Sequence, residues 1–313
     1  MNWPSFFWRT IAQARWPGTL ERVFGLTRAN LRHLLGMVRL GSRPAVTVYE
    51  SLGTDFFLAP APGWLNLGWW EGEGSEEEAP RAPERLVEIL ADPLPRGGAV
   101  LDVANGLGAQ DSVIARVTAP RPLVAVNLTE FQLRAGRERL SSAEALPVVA
   151  DAVRLPFRDA SFDGLICVEA AFHFPSRAAF FAEALRVLRP GGVLSMSDVT
   201  VERRPRTLRD AVAGLLLLRI WGMRTRQLAS AGRIAGLAEA AGFADVRVEL
   251  CAARTIDPAL QLGRSRLASP RGLPRAQVWG AQVGLRQVER LRARGFIQYA
   301  LLTARAPAGS SAS

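Results

Sequence analysis

"AVLDVANGLGAQD", residues 99–111, is the stretch on which the fold turns. Ala99, Val100, Leu101 and Val103 form a short apolar run, and Gly106 and Gly108 follow it. An apolar strand entering a glycine-rich turn ahead of a helix is a nucleotide-receiving unit. The residues after the turn narrow the nucleotide. A dinucleotide site wants a small residue three positions beyond the second glycine, where helix and strand must pack closely, and this chain has Asp111 there. A carboxylate at a helix N-terminus also opposes a pyrophosphate drawn to that positive end.

Downstream, the pattern is regular. Residues 84–92 read as a helix before the strand at 99–103. A helix from Gln110, a strand at 122–126, a helix from Thr129 to Leu140 and strands at 146–149 and 162–168 follow. Next come a helix at 177–188, capped by Ser176 and stopped by the "RPGG" at 189–192, and a strand at 193–197. Alternating strands and helices specify βαβ units and a parallel sheet. After Asp198 the alternation is interrupted by an insertion, 200–230, with an apolar helical run at 211–223. It resumes with a helix at 233–242, a strand at 244–252, a helical segment at about 274–293 and a last strand at 296–306.

A ligand that carries positive charge and no phosphate satisfies the turn better than a dinucleotide. S-adenosyl-L-methionine (SAM) is such a ligand, and Asp102 at the strand end suits its cationic part. "VLDVANGLG" resembles motif I of the class I SAM-dependent methyltransferases. "VADAVRLPFRDASFDGLICVEAAFHF" (149–174) and "FFAEALRVLRPGGVLSMSD" (180–198) resemble the segments that follow it in that family, in the same order. The resemblance implies an α/β, Rossmann-like sheet of seven strands, the last antiparallel, with ligand at the carboxyl ends of the strands. It implies SAM as cofactor, with Asp151 and Ala152 at the adenine and with Asp102, Ala104, Gly106, Gly108, Asn127, Leu128, Gln132 and Glu169 also around it. The chain departs from the family twice. Ala104 replaces the first glycine of the turn, for which a slightly adjusted turn is expected. Asn127 replaces the acidic residue that grips the ribose, so a carboxylate restored at this position is expected to tighten SAM.

His173, just past the fourth strand, and Asp198, just past the fifth, lie where a methyl acceptor must sit. A histidine near its ordinary pKa can take a hydroxyl proton, and Asp198 could orient it, so the rate is expected to rise with pH through that pKa. The arrangement resembles that of small-molecule O-methyltransferases acting on sugars, natural products and lipids. Methylation of an isoprenoid carbon and a non-catalytic SAM-binding protein are the alternatives.

Residues 1–80 read as an N-terminal helical lid, 81–306 as the methyltransferase domain and 307–313 as a disordered tail. The lid holds an aromatic cluster (Trp3, Phe6, Phe7, Trp8, Trp16), an amphipathic helix at 19–40 with His33, and "VYESLGTDFFLAPAPGWLNLGWW" at 48–70. Tyr49, Trp69 and Trp70 are candidates to close over the cofactor. The acidic "EGEGSEEEAP" at 71–80 reads as a mobile connector. The insertion is apolar (Leu215 to Leu218, Ile220, Trp221), which suggests the roof of a pocket for a lipophilic acceptor. The basic amphipathic helix either packs on the domain or lies on a membrane surface.

Composition excludes several other classes. The 313 residues are 49% hydrophobic and 22% charged, which suits a folded core. The net charge of +10 comes from arginines scattered without a run, so no nucleic-acid partner is expected. Cys167 and Cys251 sit in apolar stretches without metal-ligand spacing; buried thiols, no metal and a reducing compartment are expected. No signal peptide and no spanning segment is read, so a cytoplasmic protein is expected.

Overall fold

The computed structural model describes residues 58–220, 223, 225–270 and 275–308. The helix at 19–40, the N-terminal aromatic cluster, His33, Tyr49, Trp221 and the tail from 309 lie outside the described residues. The described chain runs α1 (Ala82–Ala91), β1 (Val100–Val103), α2 (Ala109–Thr118), β2 (Leu123–Asn127), α3 (Glu130–Ala135), α4 (Arg137–Ser142), β3 (Ala145–Val149) and β4 (Phe162–Cys167). Then follow α5 (Arg177–Val187), β5 (Leu188–Val201), α6 (Leu208–Ile220), α7 (Ala231–Ala240), β6 (Ala244–Leu250), α8 (Ile256–Ala268), α9 (Arg275–Ala293) and β7 (Ile297–Arg305).

The seven strands form one sheet in the order β3-β2-β1-β4-β5-β7-β6. β1 pairs in parallel with β2 and β4, and β7 runs antiparallel to both β5 and β6. Side chains alternate along each strand, so two cores form. One face collects Val100, Leu123, Ala125 and Ile166 with Leu86, Leu90 and Ile114 from α1 and α2. The other collects Leu101, Val103, Val124, Val126 and Leu165 with Phe180 and Phe181 from α5. All four residues of β1 are buried, as expected of a central parallel strand covered on both sides.

Three expectations change. The helix read over 129–140 is two short helices, because the chain turns at Gly136. A Cβ there would lie 2.5 Å from the carbonyl oxygen of Leu107, so the close approach of the two segments requires glycine. α8 was not read from the sequence at all. The acidic connector is tied down rather than mobile. Glu78 accepts from the backbone of Glu71 and Gly72 and pairs with Arg85, while Glu76 takes a two-toothed ion pair from Arg266 on α8. Gly74, at φ +94°, lets this segment touch α8 so closely that a Cβ would sit 2.0 Å from the oxygen of Pro258. Gly74→Ala combines that clash with a left-handed backbone and should cost about 1–3 kcal/mol of stability, read as a lowered Tm.

Candidate active site

A cleft opens at the carboxyl ends of the central strands, and six structural segments supply its lining. The segment before α1, read above as a lid, gives Leu65 and Asn66; the turn after β1 gives Ala104 and Gly106; α2 gives Gln110. The end of β2 and the start of α3 give Asn127, Leu128, Thr129 and Gln132. Asp151 and Ala152 come from the loop after β3, and Glu169, His173, Phe174 and Pro175 from the segment after β4. Residues far apart in sequence thus meet because parallel strands present all their carboxyl ends on one edge.

The turn after β1 is held open by backbone geometry. Ala104, Gly106 and Gly108 have φ of 64°, 60° and 80°. Ala104 therefore keeps the left-handed conformation a glycine would take, rather than an adjusted turn. For an alanine this costs about 1–2 kcal/mol. Its N–H and that of Asn105 both donate to the carbonyl of Val126, which ties the turn to β2. Gly106 faces the lid directly, since a Cβ there would lie 3.3 Å from Leu65.

Asp102 and Asp111 are both fully buried beneath this turn. Burial raises the pKa of each, Asp111 to about 7, and Asp102 is lifted well above the ordinary range with the charge of Asp111 adding to the effect. Asp102 does not line the cleft. Gln110 covers it, with Nε2 donating to both carboxylate oxygens at 2.8 Å. The carbonyl end of Gln110 is then the group left for the cleft. Gln110, Asn66 and Thr129 were not read as site residues; only the start of a helix after the glycine turn pointed toward Gln110.

Glu169, two residues past β4, has φ 48°, a left-handed conformation for a non-glycine residue. Its Oε1 accepts from the backbone N–H of Leu67 in the lid and from the hydroxyl of Tyr299 on β7, both at 2.7 Å. Burial pushes its pKa up to about 7, against the pull of those two donors. Trp70 does not reach the cleft. It is fully buried beside Ala79, Ala82 and Leu262, with its indole N–H donating to the carbonyl of Leu67. Trp69 likewise packs into the core on the α1 side of the sheet.

His173 lines the cleft at the end of a single helical turn, Ala171–His173. Burial, aided by the charge of Arg177, lowers its pKa to about 3. Asp198 is not its partner. Both carboxylate oxygens of Asp198 are taken by Arg177, at 2.7 and 3.3 Å, in a pair almost wholly buried. The Arg177 guanidinium also donates to the carbonyl of Gln227, and the amide of Gln227 donates to the carbonyls of His173 and Phe174. Asp198 thus steadies the backbone of the His173 turn through Arg177 and Gln227, not the imidazole. On α6, Leu208, Val212 and Leu215 are 83%, 56% and 54% exposed, and none of the helix's described side chains lines the cleft. Among the described residues no helix is long and apolar enough to cross a membrane.

Residues 101–196 match the methyltransferase domain model. A dimethylglycine N-methyltransferase from Parasynechococcus marenigrum is 31% identical over 206 residues, which cover 64% of this chain and 71% of that protein. The chain belongs to the class I SAM-dependent methyltransferases. Erythromycin 3''-O-methyltransferase from Saccharopolyspora erythraea is 34% identical over 173 residues, covering 53% of this chain and 56% of that enzyme. The matched region spans about half the length of this and two other curated relatives. Among solved structures, a cyclopropane synthase from Mycobacterium tuberculosis has the same fold, with a TM-score of 0.69 at 21% identity over 85% of this chain and 98% of that one. The cofactor is SAM. The cleft suits it: Gly106 faces Leu65, the described lining holds no arginine, and carboxyl groups lie beneath it.

Two expectations follow for the site. Asp198→Asn leaves the Arg177 guanidinium buried without its counter-charge and should cost about 3–5 kcal/mol of stability in denaturant unfolding. Burial raises the pKa of Glu169 to about 7, against the ordinary 4.5. Its contribution is therefore complete at low pH and is lost as pH rises through 7, because the unfolded chain ionises more easily. Glu169→Gln, which cannot ionise, should make the fall of Tm between roughly pH 5 and 8 shallower than in the wild type.

Proposed function

We propose that the protein transfers the methyl group of SAM to a hydroxyl of a lipophilic small molecule such as a polyketide, macrolide or terpenoid. The observation that carries this reading is the wall after β4. There Phe174 and Pro175 offer an apolar surface beside a single neutral imidazole, His173. The natural-product O-methyltransferase named above supports the hydroxyl as acceptor. SAM supplies an electrophilic methyl on a positive sulfur. Asn127 and Gln132 would hold its ribose, and Asp151 with Ala152 its adenine.

The task left to the protein is placement. Lining up the acceptor oxygen with methyl and sulfur converts a bimolecular encounter into a positioned one, worth effective molarities of about 10⁵–10⁸ M. His173 supplies the remaining need, an acceptor for the hydroxyl proton. With a pKa of about 3 it is a weak base toward an alcohol. It is still a competent one late in the reaction, because an oxygen gaining a third bond becomes a far stronger acid than imidazolium. The proton then leaves oxygen as the C–O bond forms and the sulfur takes back its electron pair.

This changes the expected pH dependence. An imidazole neutral at every working pH gives no step in rate between roughly pH 5 and 9, in place of the rise through an ordinary histidine pKa. His173→Ala should lower turnover about 10²-fold with chemistry rate-limiting, while affinity for S-adenosylhomocysteine barely changes. Near-full turnover in that variant would remove His173 from the chemistry. Transfer to an isoprenoid carbon is the second reading, favoured by the cyclopropane synthase fold neighbour, and a methyl found on carbon would establish it.

A further inference from the structure

Asn127 stands where the family places a carboxylate, and an amide can present either end to a ligand. Its surroundings leave it one choice. Asp111 in α2 is buried, and its Oδ2 accepts from Nδ2 of Asn105 at 3.1 Å. Asn105 thus turns its NH2 group toward Asp111, whose Oδ2 is the acceptor of this contact. The Oδ1 of Asn105 then faces the other way and accepts from Nδ2 of Asn127 at 3.4 Å. The same NH2 group of Asn127 also approaches two further acceptors, the carbonyl of Gly106 at 3.2 Å and Oε1 of Gln132 at 3.1 Å. The Oδ1 of Asn127 is left on the opposite side. There it accepts from the N–H of Thr129 at 2.9 Å and keeps a second lone pair. Gln132, with its oxygen spent on Asn127, has its NH2 group to offer.

We propose that Asp111 is a positioning residue for the cofactor's ribose. Acting through Asn105, it fixes Asn127 with its carbonyl oxygen, rather than its NH2 group, toward the ribose diol. The carboxylate missing from the end of β2 is in this sense relocated two side chains deeper. Asn127 accepts from one ribose hydroxyl, and the NH2 group of Gln132 donates to the other. A dyad of acceptor and donor thus replaces the usual two-acceptor grip. The proposal rests on the reading that the ribose lies at Asn127 and Gln132. It also reverses the expectation that Asn127→Asp tightens SAM. A carboxylate there would face the acceptor-only carbonyl of Gly106 and an Asn105 already anchored by Asp111.

The test titrates the full-length protein with S-adenosylhomocysteine and with its 2′,3′-dideoxy analogue. Asp111→Asn lets Asn105 turn its NH2 group against the NH2 group of Asn127, which Gly106 and Thr129 hold in place, and should weaken S-adenosylhomocysteine about tenfold while leaving the dideoxy analogue unchanged. Asn127→Ala should produce the same hydroxyl-specific loss, and the two changes together should cost no more than one alone. Equal weakening of both ligands by Asp111→Asn, strictly additive losses, or no loss would overturn the role of Asp111. If Asn127→Ala itself shows no hydroxyl-specific loss, the ribose assignment is what fails. Should Asp111→Asn not fold, Asn105→Ala breaks the same relay and must give the same discrimination.

Discussion

Two carboxyl groups, Asp102 and Asp111, are buried side by side beneath the turn after β1, and the cofactor site is arranged around satisfying them. Unpaired buried charge is costly, so each carboxyl demands donors and raises its own pKa. The donors are amides, Gln110 for Asp102 and Asn105 for Asp111. Of the two amides only Gln110 lines the cleft, and with its NH2 group committed to Asp102 its carbonyl end is what remains to face a ligand.

The rim is built on a different device. Glu169, held at a left-handed φ two residues past β4, joins the lid at Leu67 to the hydroxyl of Tyr299 on β7. The lid segment is further fixed by backbone bonds from Trp69 to Ala82 and from Trp70 to Arg254. On the acceptor side, the Asp198–Arg177 pair and Gln227 hold the carbonyls of the His173 turn. Both devices use a buried polar group from the sheet to fix a loop backbone. The cleft then meets a neutral His173 and an apolar Leu65.

The sheet was legible because its signal is local: short apolar runs, glycine turns and caps such as Ser176, which accepts from Ala179 as a capping serine should. α8 was hidden because "IDPALQLGRSRLA" carries a proline and a glycine that interrupt its helical pattern, although Ile256, Leu260, Leu262 and Leu267 are buried. The 71–80 segment was misread because its stabilising partners, Arg85 and Arg266, come from elsewhere in the chain. The site was legible as a set of strand ends and not as a set of contacts. Asn127 and His173, read at strand ends, line the cleft, whereas Asp102 lies within β1 beneath Gln110. That Arg177 would take Asp198 away from His173 depends on the reach of one side chain across the start of α5, and no spacing rule encodes that. Trp70 was singled out as an aromatic near the cofactor, yet a residue of its size in a Gly- and Pro-rich segment is as readily the anchor of that segment.

The central claim is methyl transfer from SAM to oxygen, and the product itself tests it most directly. The protein is incubated with SAM carrying a ¹³C-labelled methyl and a panel of hydroxylated macrolides, polyketides and terpenoids, and the labelled products are examined by mass spectrometry and carbon NMR. The account predicts a single added methyl whose carbon resonates in the methoxy region, with stoichiometric S-adenosylhomocysteine. A labelled methyl in the aliphatic C-methyl region, or on nitrogen, would contradict it.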